Sequence, residues 1–218
     1  MSSHNSIFPP FRINKQSIKS FESKKRYLHT LGVAYEAYKL GLLFMPEKAE
    51  KLFTTGLLHD ITKDFKTDWH LNFCQEAGIK IDYDNLVPKL LHSKTGCEFS
   101  KRIFSDELID DEIYSGILYH TTGRENMTVF EALVYLADYI EPGRTFVDCV
   151  LLRKYFYDNL KGCICEKDRL EVLRRTIVFS FDLTIKNLLE ERKAIDEDTI
   201  KARNYFLKNE TFCKKAEE

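Results

Sequence analysis

The sequence predicts an all-α protein. Apolar residues recur at steps of three and four along most of the 218-residue chain, which is the spacing of one face of an α-helix. Capping residues, prolines and glycines interrupt this pattern at positions where helices typically begin and end. No pair of alternating apolar segments joined by a hairpin turn is evident, so no β-sheet is expected. We therefore predict a helical bundle.

Residues 1–16 carry Pro9-Pro10 and are expected to form an extended arm. Pro46 suits a first helical residue, because its missing N–H would be unbonded there in any case. Gly78 suits the end of a short helix that Thr67 caps, and a turn is expected at residues 83–85. The helices predicted in this half of the chain are 17–41, 46–60, 67–78 and 87–104.

In the second half, Asp106 is expected to cap a helix, and Thr128 with Glu131 forms a capping box. The segment Glu141–Arg144 ends the helix that this box opens. The predicted helices are 107–120, 128–139, 167–192 and 196–208. We expect residues 17–145 to form the core domain, with residues 146–218 packed on it as a C-terminal helical extension.

Composition excludes several classes of function. A net charge of −1 does not favour bulk binding of nucleic acid or of a membrane surface. No apolar run approaches the roughly 20 residues that cross a bilayer, and the N-terminus lacks the apolar core of a signal peptide. We expect a cytoplasmic protein, in which the six cysteines are reduced thiols.

The pair His59-Asp60 ends the apolar face formed by Leu52, Phe53 and Leu57. A buried carboxylate without a partner would cost several kcal/mol or take up a proton. A bound cation removes that cost, and both side chains are suitable ligands for a hard or borderline metal ion. The pair therefore predicts a metal site to which other segments contribute.

Further candidate ligands lie on other predicted helices, each beside apolar positions. A lone histidine on a helix is usually an ordinary core or surface residue, but an aspartate inside an apolar helical run is rare. One or two such residues on each of five helices is the pattern by which a bundle builds a metal site. The candidate ligands are His29, His59, Asp60, His92, His120 and Asp138.

This ordered set resembles the HD-domain superfamily of metal-dependent phosphohydrolases. The basic H…HD…D signature is matched by His29, His59, Asp60 and Asp138, and the two extra histidines of members that hold two metals are matched by His92 and His120. Four local segments look like the YqeK-type HD family: 26–33, 56–63, 119–124 and 135–144. The resemblance runs from about residue 18 to 190. Thr62 replaces the alanine that this family usually has after H-D-I.

The resemblance implies a hydrolase that cuts diadenosine tetraphosphate symmetrically into two ADP, by attack of a metal-bound hydroxide on a phosphoanhydride. It implies one or two divalent metal ions, with iron favoured and manganese, cobalt or zinc as alternatives. The expected partners are a dinucleoside polyphosphate or a nucleoside diphosphate, with no DNA, RNA or membrane, and a homodimer is possible. We hypothesise that one ion binds His29, His59, Asp60 and Asp138, and that Asp60 bridges to a second ion held by His92 and His120.

Basic and hydroxyl side chains near these ligands are candidates for substrate contact, although each is also an ordinary surface residue type. Lys63 would return to the face of His59 if that helix continued for one more turn, and arginine forks suit phosphate oxygens. Asp60 and Lys63 are the candidate catalytic residues. The candidate substrate-binding residues are Arg26, Lys63, Thr121, Thr122, Gly123, Arg124, Tyr139 and Arg144. Glu141 is expected to order either Arg144 or a metal-bound water.

Other functions fit the same ligands, because fold and metals do not fix the substrate. One alternative is another HD-type hydrolase, acting on a mononucleotide, a cyclic dinucleotide or an alarmone. A second is a non-catalytic nucleotide-binding sensor, and a third is a di-iron oxygenase. Reaction products separate the hydrolases from one another, and oxygen consumption identifies the oxygenase.

Overall fold

The computed structural model describes residues 15–82, 86–104, 108–209 and 212. All regular structure in these ranges is helical, which confirms the predicted fold class. The helices are α1 Lys15–Lys19, α2 Lys24–Phe44, α3 Ala49–Leu58, α4 Thr67–Ala77, α5 Leu91–Phe104, α6 Asp111–Tyr119, α7 Val129–Ile140, α8 Val147–Leu160, α9 Glu166–Glu190 and α10 Glu197–Lys208. The predicted N-terminal arm and the turn at 83–85 lie outside the described residues.

Helices α2 and α3 form a closely packed antiparallel pair that carries much of the site. Ser23 caps α2 by accepting from the N–H of Arg26, and a 3₁₀ turn, Pro46–Lys48, leads into α3. The helices approach so closely that a Cβ on Gly56 would lie 2.7 Å from Cα of Ala34. Small residues at this contact allow the short interhelical distance.

The chain beyond α3 differs from the predicted helix to Asp60. The α-helix ends at Leu58, and His59 is its C-terminal cap. Tighter turns follow, in which the N–H of Ile61 bonds to the carbonyl of Leu58 and the N–H of Lys63 to that of Asp60. Such three-residue steps are common where an α-helix ends. Lys63 is therefore brought towards the site by 3₁₀-type turns and not by another α-helical turn.

Helix α7 is the central helix. The predicted capping box is present, with Thr128 accepting from the N–H of Glu131 and the Glu131 carboxylate accepting from the N–H of Thr128. Most of its residues are buried, so it packs on several sides, as a helix with apolar residues all round must. Helices α2, α3, α6, α8 and α9 surround it.

The C-terminal helices share this core. Phe156 of α8, Phe181 of α9 and Phe206 of α10 are fully buried in the same apolar cluster as Leu133 and Leu136 of α7. The predicted helices 167–192 and 196–208 agree closely with α9 and α10, whereas no helix was predicted at the position of α8. The division into units at residue 145 stays a prediction, since α8–α10 are continuous with the core around α7.

Helix α6 begins at Asp111, with Asp110 capping the N–H of Ile113, so the predicted start at residue 107 was too early. Asp106 lies outside the described residues. Among the helices described, none combines the length and the apolar character needed to cross a bilayer.

Candidate metal centre

The six candidate ligands come from five helices or their ends. His59 and His120 directly follow α3 and α6 as C-terminal caps. His29 lies near the start of α2, and His92 is the second residue of α5. Asp138 lies in the last turn of the central helix α7. The fold thus points side chains from separate helix ends at one another.

On one side of the cluster, two imidazoles face two carboxylates. His29 Nε2 lies 2.9 Å from Asp138 Oδ1 and 3.9 Å from Asp60 Oδ2. His59 Nε2 lies 3.7 Å from Asp138 Oδ1 and 3.5 Å from Asp60 Oδ2. This half of the cluster offers two nitrogens and two carboxylate oxygens.

On the other side, the second oxygen of Asp60 meets the remaining histidines. Asp60 Oδ1 lies 3.1 Å from His92 Nε2 and 3.4 Å from His120 Nε2. The two Nε2 atoms are 3.1 Å apart. The carboxylate of Asp60 therefore stands between the two halves of the cluster, with one oxygen directed to each.

The residues fit a metal ion. Among the candidate ligands, three polar atoms are buried without a hydrogen-bond partner: His29 Nε2, His59 Nε2 and Asp60 Oδ1. Unsatisfied buried polar atoms are costly, and their convergence requires an explanation. Ligand atoms of two groups lie within 4.8 Å of one another: His29, His59 and Asp138, and His59, Asp60 and His120. A divalent ion satisfies these atoms together, and this nitrogen and oxygen set is suited to one.

The rings are held in fixed orientations. His59 Nδ1 lies 2.7 Å from the carbonyl oxygen of Gly56, His92 Nδ1 lies 2.7 Å from that of Lys89, and His120 Nδ1 lies 2.6 Å from that of Ile117. An Nδ1–H that donates to a carbonyl leaves Nε2 unprotonated, which is the form that binds metal. His29 has a different partner, the Glu141 carboxylate at 3.1 Å. Glu141 thus orders His29, and not the Arg144 side chain that the sequence offered as one alternative.

Three cations compensate the acidic groups. Arg26 donates to Asp60 Oδ2 at 2.6 Å, and Arg144 donates to Asp138 Oδ1 at 2.5 Å. Lys63 Nζ lies 2.9 Å from His92 Nε2 and 3.8 Å from Asp60 Oδ1. All three candidate cations therefore reach the metal-ligand cluster.

Burial and neighbouring positive charges shift the pKa values of Asp60 and Asp138 in opposite directions. Burial alone would raise the pKa of Asp60, but the neighbouring histidines hold that pKa well below its ordinary value. Burial would likewise raise the pKa of Asp138, and Arg144 with His29 holds it well below its ordinary value. Both groups are therefore carboxylates at neutral pH, as metal ligation requires.

The other candidate substrate residues divide into two groups. Thr121 Oγ1 lies 3.0 Å from His120 Nε2 and 3.3 Å from His92 Nε2, so it belongs to the cluster. The Thr122 hydroxyl donates to the carbonyl of Gly123, whose backbone is left-handed with φ of 65°. These two residues form the turn directly after Thr121.

Two candidates have partners away from the cluster. Arg124 donates to the buried carboxylate of Glu131 at 2.9 Å and stacks on the Tyr119 ring. Tyr139 has Thr184 of α9 beside its hydroxyl, and burial raises the pKa of that hydroxyl to about 12. The contacts described for these two side chains do not join them to the metal ligands.

The HD domain family matches residues 26–143, which is more than half of the chain. This chain belongs to the HD-domain family. The matched segment begins at Arg26, contains all six candidate ligands and ends two residues beyond Glu141. The resemblance drawn from the sequence is confirmed, and the matched segment contains the whole histidine and aspartate cluster.

Two named relatives match this chain over most of its length and over most of their own. The symmetrical bis(5'-nucleosyl)-tetraphosphatase of Staphylococcus aureus is 31% identical over 79% of this chain and 87% of that protein. The enzyme of the same name from Bacillus subtilis is 26% identical over 87% of this chain and 94% of that protein.

A solved structure is also similar. It is the crystal structure of a predicted HD superfamily hydrolase involved in NAD metabolism from Clostridium acetobutylicum. It superimposes with a TM-score of 0.76, is 31% identical, and covers 89% of this chain and 95% of that one.

The sequence did not predict the contact between Glu141 and His29 in this HD domain. Glu141 was expected to order either Arg144 or a metal-bound water. Gly32, one helical turn after His29, was not singled out, yet a Cβ there would lie 2.4 Å from Glu141 Oε2. A glycine in the interior of a helix is unfavourable and was an available signal of a close neighbour.

Proposed function

We propose that this protein is a metal-dependent hydrolase that cleaves diadenosine tetraphosphate symmetrically into two ADP. One observation carries the proposal. A complete cluster of four imidazoles and two carboxylates, with three cations in contact with it, occurs in a chain that matches a symmetrical bis(5'-nucleosyl)-tetraphosphatase over 87% of that relative's length.

We propose two sets of metal ligands that share Asp60. The first consists of His29, His59, Asp138 and Oδ2 of Asp60, and the second consists of His92, His120 and Oδ1 of Asp60. A bound divalent ion supplies positive charge to the phosphate oxygens and lowers the pKa of water at the site. Iron is the metal favoured by the family resemblance, while the ligand chemistry also suits manganese, cobalt or zinc.

The cations of the site would bind the polyphosphate. A four-phosphate chain carries about four negative charges, and charge-assisted bonds to phosphate are among the stronger hydrogen bonds. Arg26 and Arg144 offer planar forks beside Asp60 and Asp138, and Lys63 offers an ammonium beside His92. When substrate binds, these groups exchange part of their contact with carboxylates for phosphate oxygens.

Asp60 and Lys63 are the residues proposed to act at the reacting phosphate. Asp60 orders both halves of the cluster, because its two oxygens face different histidines. Lys63 places an ammonium next to the same carboxylate, where it can stabilise charge that develops on phosphate oxygens. Thr121 is placed to donate to an oxygen between His92 and His120.

The remaining proposed substrate contacts are Thr122, Gly123, Arg124 and Tyr139. Thr122 and Gly123 form the turn beside Thr121, where backbone N–H groups and a hydroxyl are available to phosphate or ribose. Arg124 would have to leave Glu131 to reach a phosphate, and Tyr139 would have to turn away from Thr184. A homodimer and a cytoplasmic location stay predictions from the sequence.

Product analysis tests the proposal. Diadenosine tetraphosphate is incubated with the full chain and Fe²⁺ or Mn²⁺, and the nucleotides are separated by ion-exchange chromatography. ADP as the only product supports the proposal. ATP with AMP, or no cleavage beside rapid turnover of a mononucleotide, cyclic dinucleotide or alarmone, overturns it. Asp60→Asn should abolish turnover, whereas Asp182→Asn, which removes a carboxylate paired with Arg203 on the C-terminal helices, should not.

A further inference from the structure

The four histidines of the cluster obtain their Nδ1 partners in two different ways. His59, His92 and His120 each lie at a helix end, and each Nδ1 contacts the carbonyl oxygen three residues earlier. The first and last turns of a helix have irregular or incomplete backbone bonding, so such carbonyls can accept from a side chain. These three rings each have a local backbone carbonyl as an Nδ1 partner, and His92 Nδ1 also lies 3.2 Å from Lys63 Nζ.

His29 differs from these three. It lies inside α2, and none of its described contacts is with the carbonyl three residues earlier, that of Arg26. Its Nδ1 instead contacts Glu141 Oε1 at 3.1 Å, across 112 residues of sequence. Glu141 is the residue that ends α7, and its side chain is only 4% exposed. One ring of the cluster is therefore oriented by a carboxylate from another helix.

The Glu141 carboxylate is held in place by its surroundings. Oε2 accepts from the N–H of Gly143 at 2.6 Å. A Cβ on Gly32 would lie 2.4 Å from Oε2, and a Cβ on Gly143 would lie 2.9 Å from it. Contacts under 3.0 Å are not tolerated by a real Cβ, so two glycines leave the space that the carboxylate fills. The close approach of the Glu141 carboxylate explains why residue 32 of α2 is a glycine.

We infer that Glu141 is a positioning residue that fixes His29 with its proton on Nδ1 and its Nε2 lone pair directed at the metal. A carboxylate also polarises the ring more strongly than a backbone carbonyl does, so His29 is the strongest donor among the four imidazoles. Glu141 acts only through His29 and does not touch the metal. The inference rests on the proposed function in one respect, that His29 is a ligand.

The test measures Zn²⁺ affinity by competition with a chelator, which does not depend on catalysis. Removing a partner of this kind costs about 10–100-fold in metal affinity. We expect Glu141→Ala to weaken Zn²⁺ binding by about that factor. Gly32→Ala leaves the carboxylate chemically intact but displaces it, and should weaken binding to a similar extent. Glu141→Gln keeps an oxygen that can accept from Nδ1–H, and should lose less than Glu141→Ala.

The matched control is Glu36→Ala. Glu36 is another buried glutamate on α2, bonded to Tyr157 and Lys39 and to no histidine. This variant should bind Zn²⁺ as tightly as the unmutated chain. An independent readout is NMR of the Zn²⁺-loaded protein, in which the Nδ1 proton of His29 should exchange slowly with solvent in the unmutated chain and rapidly in Glu141→Ala.

The outcomes separate this inference from the proposed function. If Glu141→Ala and Gly32→Ala bind Zn²⁺ within twofold of the unmutated chain, or if Glu36→Ala weakens binding equally, the positioning role is overturned. Either result leaves cleavage of diadenosine tetraphosphate intact. Conversely, a protein that binds Zn²⁺ in a Glu141-dependent manner but does not cleave this substrate retains the inference and loses the proposed function.

Discussion

Arg26 donates to Asp60 Oδ2 at 2.6 Å, although Asp60 is also the carboxylate that faces all four imidazoles of the cluster. A guanidinium and a metal ion thus compete for one carboxylate. The Arg26 side chain is 26% exposed, so it can turn towards a ligand in the cleft, and a bound metal ion would then compensate the buried Asp60 carboxylate.

We therefore expect Arg26→Ala to keep its metal and to lose substrate affinity. Metal content should equal that of the unmutated chain, because the change removes a competing cation. KM for diadenosine tetraphosphate should rise about tenfold or more, since a charge-assisted bond contributes roughly 1.5–3 kcal/mol. Metal analysis and steady-state kinetics check both parts, and loss of metal in Arg26→Ala would assign Arg26 to maintenance of the cluster instead.

Most helices followed from the sequence, and the exceptions have physical causes. Helix α8 was missed because Phe146, Val147, Val150 and Leu151 are apolar yet exposed. Its apolar residues therefore do not mark one buried face, and the period that identifies a helix is weak. The start of α6 was placed too early because several acidic residues precede it, and any of them could serve as its cap.

The residues of the cluster were predictable because histidine and aspartate are unusual on apolar helical faces. The contacts that orient and balance them were not. Glu141 meets His29 only because the end of α7 packs against α2, and such packing leaves no periodic signal in the sequence. Arg124, a candidate for phosphate contact, pairs with the buried carboxylate of Glu131, and the sequence did not predict that pair.

The shared role of Asp60 predicts how metal content divides between the two halves. His92→Ala and His120→Ala should each reduce bound metal by about one ion per chain after reconstitution with Mn²⁺, because these histidines belong to the second set alone. Elemental analysis of the desalted protein measures the change. The two-ion arrangement is wrong if neither variant holds less metal than the unmutated chain. His70→Ala, which removes a buried histidine bonded to Thr95 and outside the cluster, should retain full metal content.

Glu22 predicts a pH dependence of stability. Its carboxyl accepts from the Thr30 hydroxyl at 2.8 Å, and burial raises its pKa from 4.5 to about 7. The folded state therefore binds more protons than the unfolded state between these values. The stability contributed by protonated Glu22 is complete below about pH 4.5 and is lost as pH rises through about 7.

Glu22→Gln should consequently stabilise the metal-free protein at pH 8, where ionised Glu22 is unfavourable. We expect a gain of about 1–2 kcal/mol, since one pKa unit corresponds to about 1.4 kcal/mol and partial exposure screens the effect. At pH 4.5 the gain should vanish. Urea unfolding at the two pH values measures it. Glu76→Gln, at an exposed position on α4, should show no such pH dependence, and an equal effect of Glu22→Gln at both pH values would contradict the assignment.

The contact between α2 and α3 predicts that Gly56→Ala destabilises the protein, whereas helix propensity alone predicts that it stabilises it. Alanine is favoured over glycine in a helix by about 1 kcal/mol. A Cβ on Gly56, however, would lie 2.7 Å from Cα and 3.0 Å from the backbone nitrogen of Ala34, and backbone atoms cannot move aside independently. Gly56→Ala should therefore separate the two helices and destabilise the protein by about 1–3 kcal/mol, as overpacking does.

The same substitution should reach the metal centre, because the carbonyl of Gly56 accepts from His59 Nδ1. We expect weaker Zn²⁺ binding together with the lower stability, measured by chelator competition and by urea unfolding of the metal-free protein. Gly162→Ala is the matched control, since no atom lies within 4 Å of the added Cβ, and its stability should change by less than about 0.5 kcal/mol. If Gly56→Ala were as stable as the unmutated chain, the close approach of α2 and α3 would not be the contact that holds His59 at the cluster.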